Sequence, residues 1–289
     1  MSDPTDVVLV DVTDAVAIIT LNRPDARNAL SLEVLRALPR AVRACDERDD
    51  VRAIILTGSD PAFCAGLDLK ELGAGLLNAV VAPEPPDPRP GAEVEPEAPA
   101  PTPGADGATR GADRWRGPFP PTRTPVIGAV NGVAVTGGLE LALACDLLIA
   151  SDRARFADTH ARVGIMPGWG LSVLLPQAIG LRRAKQMSLT GNYLDAGDAL
   201  AWGLVNQVVP HEQLLDTCRA LAFDIASNDT AAVTRLLQTY REGAELTAAE
   251  AWRLEGEVAR SWRPDGAVDP AEVERRRRAV VERGRSQVG

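Results

Sequence analysis

The sequence predicts an α/β fold with mostly buried strands and a helical C-terminal region. Three observations point there. Short apolar runs alternate with segments of helical spacing as far as residue 150. From residue 171 onward one helical pattern follows another. The 289 residues are 45% hydrophobic and 25% charged, enough apolar material for a sizeable core.

Residues 7–10 and 16–21 are apolar runs with Thr13-Asp14 between them, which reads as a hairpin or two successive strands. Arg23-Pro24-Asp25-Ala26-Arg27-Asn28 is a loop. Ser31 then caps a helix over 32–48, with Leu32, Leu35, Leu38 and Val42 at helical spacing. Residues 51–57 form a short buried strand, closed by Gly58-Ser59-Asp60-Pro61. A helical start is expected over 68–77.

The composition then changes. Residues 73–124 hold twelve of the 22 prolines, with many Ala, Gly and acidic residues and few large apolar ones. Such a stretch buries too little surface to offset its ordering entropy, so 83–113 reads as a flexible, partly extended insertion. It is either a tolerated surface-loop expansion or a lid or partner-binding arm. Order is expected to return at Pro125, with strands over 126–130 and 147–150 around a helix over 137–145. Helices are expected over 171–179, 182–189, 195–202, 211–226, 229–242 and 247–262. Asp269-Pro270-Ala271-Glu272 opens a last one, and Arg275–Arg278 reads as its solvated basic face. This divides the chain into a core, 1–205, interrupted at about 73–124, and a helical region, 206–289. No internal repeat is visible.

A net charge of −9 argues against a nucleic-acid partner. The four cysteines, Cys45, Cys64, Cys145 and Cys218, are scattered, with no CxxC pair and no histidine cluster. Neither a metal site nor a disulfide framework is expected, and buried reduced thiols are. The first residues lack a basic stretch followed by an apolar one, and polar residues interrupt every long apolar run. A cytoplasmic protein with no membrane span is the expectation.

The chemistry concentrates in two loops and a histidine. Phe63-Cys64-Ala65-Gly66-Leu67-Asp68-Leu69 and Val135-Thr136-Gly137-Gly138-Leu139-Glu140 each follow an apolar run and lead into a helical pattern. Each can therefore present free backbone N–H groups. Two such groups facing each other polarise a carbonyl, and Glu140, one turn beyond Gly137, could move protons beside it. Leu139, Leu141, Ala142 and Leu143 surround Glu140, so burial should raise its pKa. His160, twenty residues on, can accept and donate protons near neutrality; it either works with Glu140 or lines a pocket as a structural residue. Asp158 or Arg162 could tune it. His211, after Pro210, reads as a surface cap, and Trp202, Trp252 and Trp262 as packing residues.

As an ordered set, further motifs join these loops: Asn22-Arg23-Pro24 with Asn28-Ala29-Leu30, the run from Pro125 to Gly132, Cys145-Asp146, Gly164-Ile165-Met166-Pro167-Gly168, Leu189-Thr190-Gly191, and Ala199 with Gly203-Leu204-Val205. Over residues 7–262, apart from the insertion, the chain resembles the crotonase family of enoyl-CoA hydratases and isomerases. The resemblance implies a ββα-unit spiral core with helices after about 205 building a homotrimer or a dimer of trimers. It implies an acyl-CoA thioester substrate, with coenzyme A entering as part of the substrate, no other cofactor and no metal. Glu140 becomes the acid/base, and the N–H groups of Leu67 and Gly137 become the oxyanion hole of an enolate, worth about 3–4 kcal/mol each. Ala26, Arg27, Ala29, Ala65, Gly66, Asp68, Leu69, Lys70 and Gly138 become CoA- and substrate-binding positions. Trp169 stands where many hydratases carry a small residue and would narrow or cap the acyl pocket.

Hydratases of the family carry a second glutamate where this chain has His160. Water addition to a 2-enoyl-CoA, in the manner of fatty acid metabolism, is the leading expectation. The others are a Δ3-Δ2 enoyl-CoA isomerase, a β-keto acyl-CoA hydrolase or decarboxylase, and a non-catalytic acyl-CoA-binding protein.

Overall fold

A computed structural model describes residues 6–71, 117–262 and 270–288. The chain divides into two compact units, Met1–Thr234 and Arg235–Gly289. In the first, β1 (Val8–Thr13) and β2 (Val16–Leu21) form an antiparallel hairpin. The rest of its sheet is parallel: β3 (Ala53–Gly58), β5 (Val126–Val130), β7 (Leu147–Ser151) and β10 (Gln207–Val209) follow in the order β1-β2-β3-β5-β7-β10. A second sheet contains β4 (Ala62–Cys64), β6 (Val133–Val135), β8 (Arg155–Ala157) and β9 (Leu194–Asp195).

Side chains alternate across a strand, so both faces of the first sheet must be covered. Val16, Ile18, Ala53, Ile55, Ile127, Ala129 and Ile149 join one cluster with Leu214, Cys218 and Ala222. Those three residues are four apart on one face of helix Leu214–Ala226. That helix lies within the region expected to carry subunit contacts, yet this face packs on the core. The intervening residues Ile19, Leu21, Ile54, Leu56 and Val130 point the other way, to Val34, Leu38 and Val42 of helix α1 (Leu32–Asp46) and to Phe63 and Phe156 of the second sheet. Ser31 caps α1 as expected, its hydroxyl accepting from the Val34 N–H, although Leu32 and Leu35 are only half-buried.

The β1–β2 turn places Asp14 and Ala15 at φ of 50° and 65°. Positive φ at both central residues matches the type I′ hairpin, which suits asparagine or glycine better than alanine. Relieving the Cβ clash at Ala15 offsets glycine's greater unfolded freedom, so Ala15→Gly is expected to add roughly 0.5–1 kcal/mol. A higher urea midpoint at unchanged slope is the measurement.

Several expectations need correction. Order returns before Pro125: Phe119 is in the main core, and Thr122 and Thr124 are buried. The Thr124 N–H donates to Asp46, which anchors this stretch to the end of α1. The short strands 62–64, 133–135, 155–157, 194–195 and 207–209 join the sheets where none was predicted. Trp252 is 74% and Trp262 39% exposed in the second unit, so neither is a core residue there. Trp202 is half-buried against the core with Arg183 over its ring. His211 is no cap; its ring bridges Asp60 (3.1 Å) and Ser151 (3.0 Å). The expected insertion over 83–113 lies outside the described residues, as does the helical start beyond residue 71. The described part of that start is a turn. All four cysteines are free, three of them buried.

Candidate functional site

The first loop is laced to the segment before α1 by backbone bonds: Ala65 N–H to Arg27 O, Leu30 N–H to Gly66 O, and Asp68 N–H to Leu30 O. Asn28 is the hub. Buried at a φ of 55°, it donates to the carbonyls of Ser59 and Ala62 and accepts from the Arg23 N–H. Arg23 closes the clamp by donating to the Ala29 carbonyl and pairing with Asp68 at 2.9 Å. Asp68 also accepts from the Lys70 N–H, and Glu71 accepts from the Leu32 N–H at the start of α1. These bonds leave out the Leu67 N–H.

The second loop enters helix α2 (Gly137–Leu143) through Thr136, held at φ 54° and ψ −114°. A threonine there is strained, and two bonds hold it in place. Its N–H donates to the Ala157 carbonyl, and its hydroxyl meets that of Thr159 at 3.0 Å. Glycine lets the two loops touch. A Cβ on Gly66 (φ 90°) would stand 2.8 Å from the Val135 carbonyl, and one on Gly138 would overlap the Cys64 carbonyl. One on Gly137 would lie 3.9 Å from the Gly66 Cα and 3.7 Å from the Trp169 ring. Among the described residues, neither the Gly137 N–H nor that of Leu67 takes part in the backbone bonds around it. Because the Gly138 collision is with backbone, Gly138→Ala is expected to destabilise the fold by about 3 kcal/mol. Thermal unfolding of the purified variant checks this.

Beside the loops lies a buried polar chain. Glu140, Asp158 and His160 are each 4% exposed or less. The His160 Nδ1 lies 2.6 Å from the Asp158 Oδ1, and its Nε2 lies 3.6 Å from the Glu140 Oε2. The first contact is a short charge-assisted hydrogen bond, while the second is an ion-pair approach too long for one. Glu140 also accepts, at 2.7 Å, from the backbone N–H of Trp169. Burial works against a charged His160 ring. The hydrogen bond to Asp158, the approach of Glu140 and the charge of both carboxylates outweigh it, raising the pKa to about 9. Burial likewise opposes the Asp158 charge, but the His160 ring, the Ser188 hydroxyl and the His160 N–H hold it below the usual carboxylate range. Asp158 is thus held as a carboxylate beside a ring whose charged form is favoured.

A family model described as enoyl-CoA hydratase/isomerase matches residues 11–83 and 120–265. The chain belongs to the enoyl-CoA hydratase/isomerase family. It is 36% identical over 247 residues to the probable enoyl-CoA hydratase 1, peroxisomal, of Arabidopsis thaliana, covering 86% of this chain and 83% of that one. Among solved structures it is similar to an enoyl-CoA hydratase from Mycobacterium smegmatis, with 47% identity, TM-score 0.67 and coverage of 89% and 97%. It is also similar to a monofunctional enoyl CoA isomerase from M. smegmatis, with 30% identity, TM-score 0.64 and coverage of 86% and 98%.

Within this family fold, Gly66, Leu67, Gly137, Gly138 and Trp169 converge at the meeting of the two loops, and Glu140 and His160 meet next to them. Ala26, Arg27 and Ala29 are tied to Ala65 and Asp68 through the first loop, with the Arg27, Leu69 and Lys70 side chains exposed at its outer edge. The Asp68 carboxylate is turned to Arg23 and so holds the loop. Of the two candidates for tuning His160, Asp158 contacts its ring, while Arg162 turns away to the Thr190 carbonyl and Asn192. The Trp169 N–H on Glu140 and the influence of Ser188 on the Asp158 charge were not foreseen. Backbone donors carry no side-chain signature, and Ser188 is one of several polar residues of helix Leu181–Thr190, with nothing in the sequence to single it out. No group of metal-ligating side chains occurs among the described residues, and none of their helices is long and apolar enough to cross a membrane.

Proposed function

We infer that this chain adds water to a 2-enoyl-CoA thioester, with Glu140 and His160 as its two proton-moving groups. The thioester oxygen sits between the N–H groups of Leu67 and Gly137 and takes up negative charge as the enolate forms. Glu140, beside the His160 ring, removes a proton from water as the hydroxyl bonds to Cβ. His160 gives its proton to Cα as the enolate collapses. Glu140 then returns its proton to His160 as the two side chains close the 3.6 Å between them, and the pair is reset.

The observation that carries this reading is the His160 Nε2 standing 3.6 Å from the Glu140 carboxyl, with Asp158 on the other ring nitrogen. Hydration needs one base and one acid at the same moment, and this pair supplies both without the second glutamate. Moving a double bond by the isomerase route needs only one group to shuttle a proton. Ala26, Arg27, Ala29, Ala65, Gly66, Asp68, Leu69, Lys70 and Gly138 form or support the CoA path, and Trp169 covers the acyl end. We further propose a trimer or dimer of trimers working in the cytoplasm, with no cofactor beyond the CoA of the substrate; light scattering tests the assembly.

Purified protein given crotonyl-CoA and longer 2-enoyl-CoAs is expected to form 3-hydroxyacyl-CoA. Absence of turnover with all of them, together with conversion of a 3-enoyl-CoA, would replace hydration by isomerisation.

A further inference from the structure

We propose that Asp158 is a positioning residue: it grips the Nδ1–H of His160 so that the Nε2–H of an imidazolium faces Glu140. This deepens the hydratase reading and rests on it for its kinetic consequences. The geometry is local and specific. Asp158 and His160 are two residues apart, and the Asp158 Oδ1 accepts from both the His160 backbone N–H (3.1 Å) and its ring Nδ1 (2.6 Å). The backbone bond is an Asx-type turn, so the carboxylate is fixed on the same short segment as the ring. Ser188, from the packed helix Leu181–Thr190, also favours the charged form of that carboxylate.

A ring anchored at Nδ1 has one remaining polar atom, Nε2, and it approaches Glu140 of α2. The charged groups facing the ring are thus Asp158 on its own segment and Glu140 on α2, while Arg162 of the same short helix bonds elsewhere. Without Asp158 the ring would keep one carboxylate neighbour, lose its orientation and give up its proton at lower pH, consistent with the rise to about 9 when both are present.

The chain has two histidines, so protein labelled with ¹⁵N-histidine gives two sets of ring signals, and His211→Asn identifies which belongs to His160. In wild type, both His160 nitrogens are expected to stay protonated through neutral pH and to titrate near 9. In Asp158→Asn the ring is expected to titrate at least one pH unit lower. The alkaline limb of kcat/KM for crotonyl-CoA should move with it, while KM at neutral pH stays within about twofold. A neutral His160 ring in wild type at neutral pH overturns the proposal whether or not the variant folds. So does an Asp158→Asn enzyme that is less stable but titrates unchanged, which would make Asp158 merely structural. If the ring titration shifts but wild type does not hydrate any enoyl-CoA, positioning stands and the hydratase reading falls.

Discussion

Glu140→Gln is expected to lower kcat for crotonyl-CoA hydration by about 10²- to 10⁴-fold, the usual worth of a positioned acid/base. The substitution keeps the volume of a side chain that is fully packed in α2. The Trp169 N–H can still donate to the amide oxygen, so the hydrogen bond that fixes this side chain survives. The ability to accept a proton from water is lost. Because the Leu67 and Gly137 donors are untouched, KM should change little, and a residual rate from the oxyanion hole should remain. Initial rates and near-UV circular dichroism on the same preparation separate chemistry from folding. Retention of more than about a tenth of the wild-type rate would remove Glu140 from proton transfer, since even the weakest general catalysis is worth more.

The legible parts of this fold are those where one element carries its own signal. The β1–β2 hairpin shows two apolar runs around a turn, α1 shows a serine cap, and Glu140 stands out as the one charge in an apolar helix. The second sheet was not legible because 62–64, 133–135 and 155–157 are three-residue strands. Three residues cannot display a period, and these strands exist because their neighbours complete the ladder. The site divides the same way. The glycine loops were visible, and their contact is explained by what a Cβ would hit: carbonyls of Val135 and Cys64, supplied by residues some seventy positions away in each case. Arg23 and Asp68 could each be seen, but their pairing depends on Asn28 bending one loop against the other. For His160 the type of residue was informative and its protonation was not. That state is set by Asp158 from nearby and Glu140 from another element, both of which favour the charged form of a buried ring.

Replacing His160 by glutamine tests that charge directly. The side chain remains polar and its amide can still donate to Asp158, but it has no labile proton to give to Cα. kcat is expected to fall by about 100-fold or more with little change in KM. The pH dependence carries the sign. An imidazolium is the acid, so the wild-type rate should decline as pH rises through about 9, where the ring loses its proton. Stability should follow the same direction. The folded ring holds its proton to higher pH than the unfolded ring, whose pKa is about 6.5. Between the two values the native state binds more protons, so its added stability is complete below about 6.5 and is lost as pH rises through about 9. Urea midpoints across that interval should therefore fall in wild type and flatten in His160→Gln. An alkaline rate limb that persists in His160→Gln would assign it to another group, and a glutamine variant with full activity would leave Glu140 to move both protons alone.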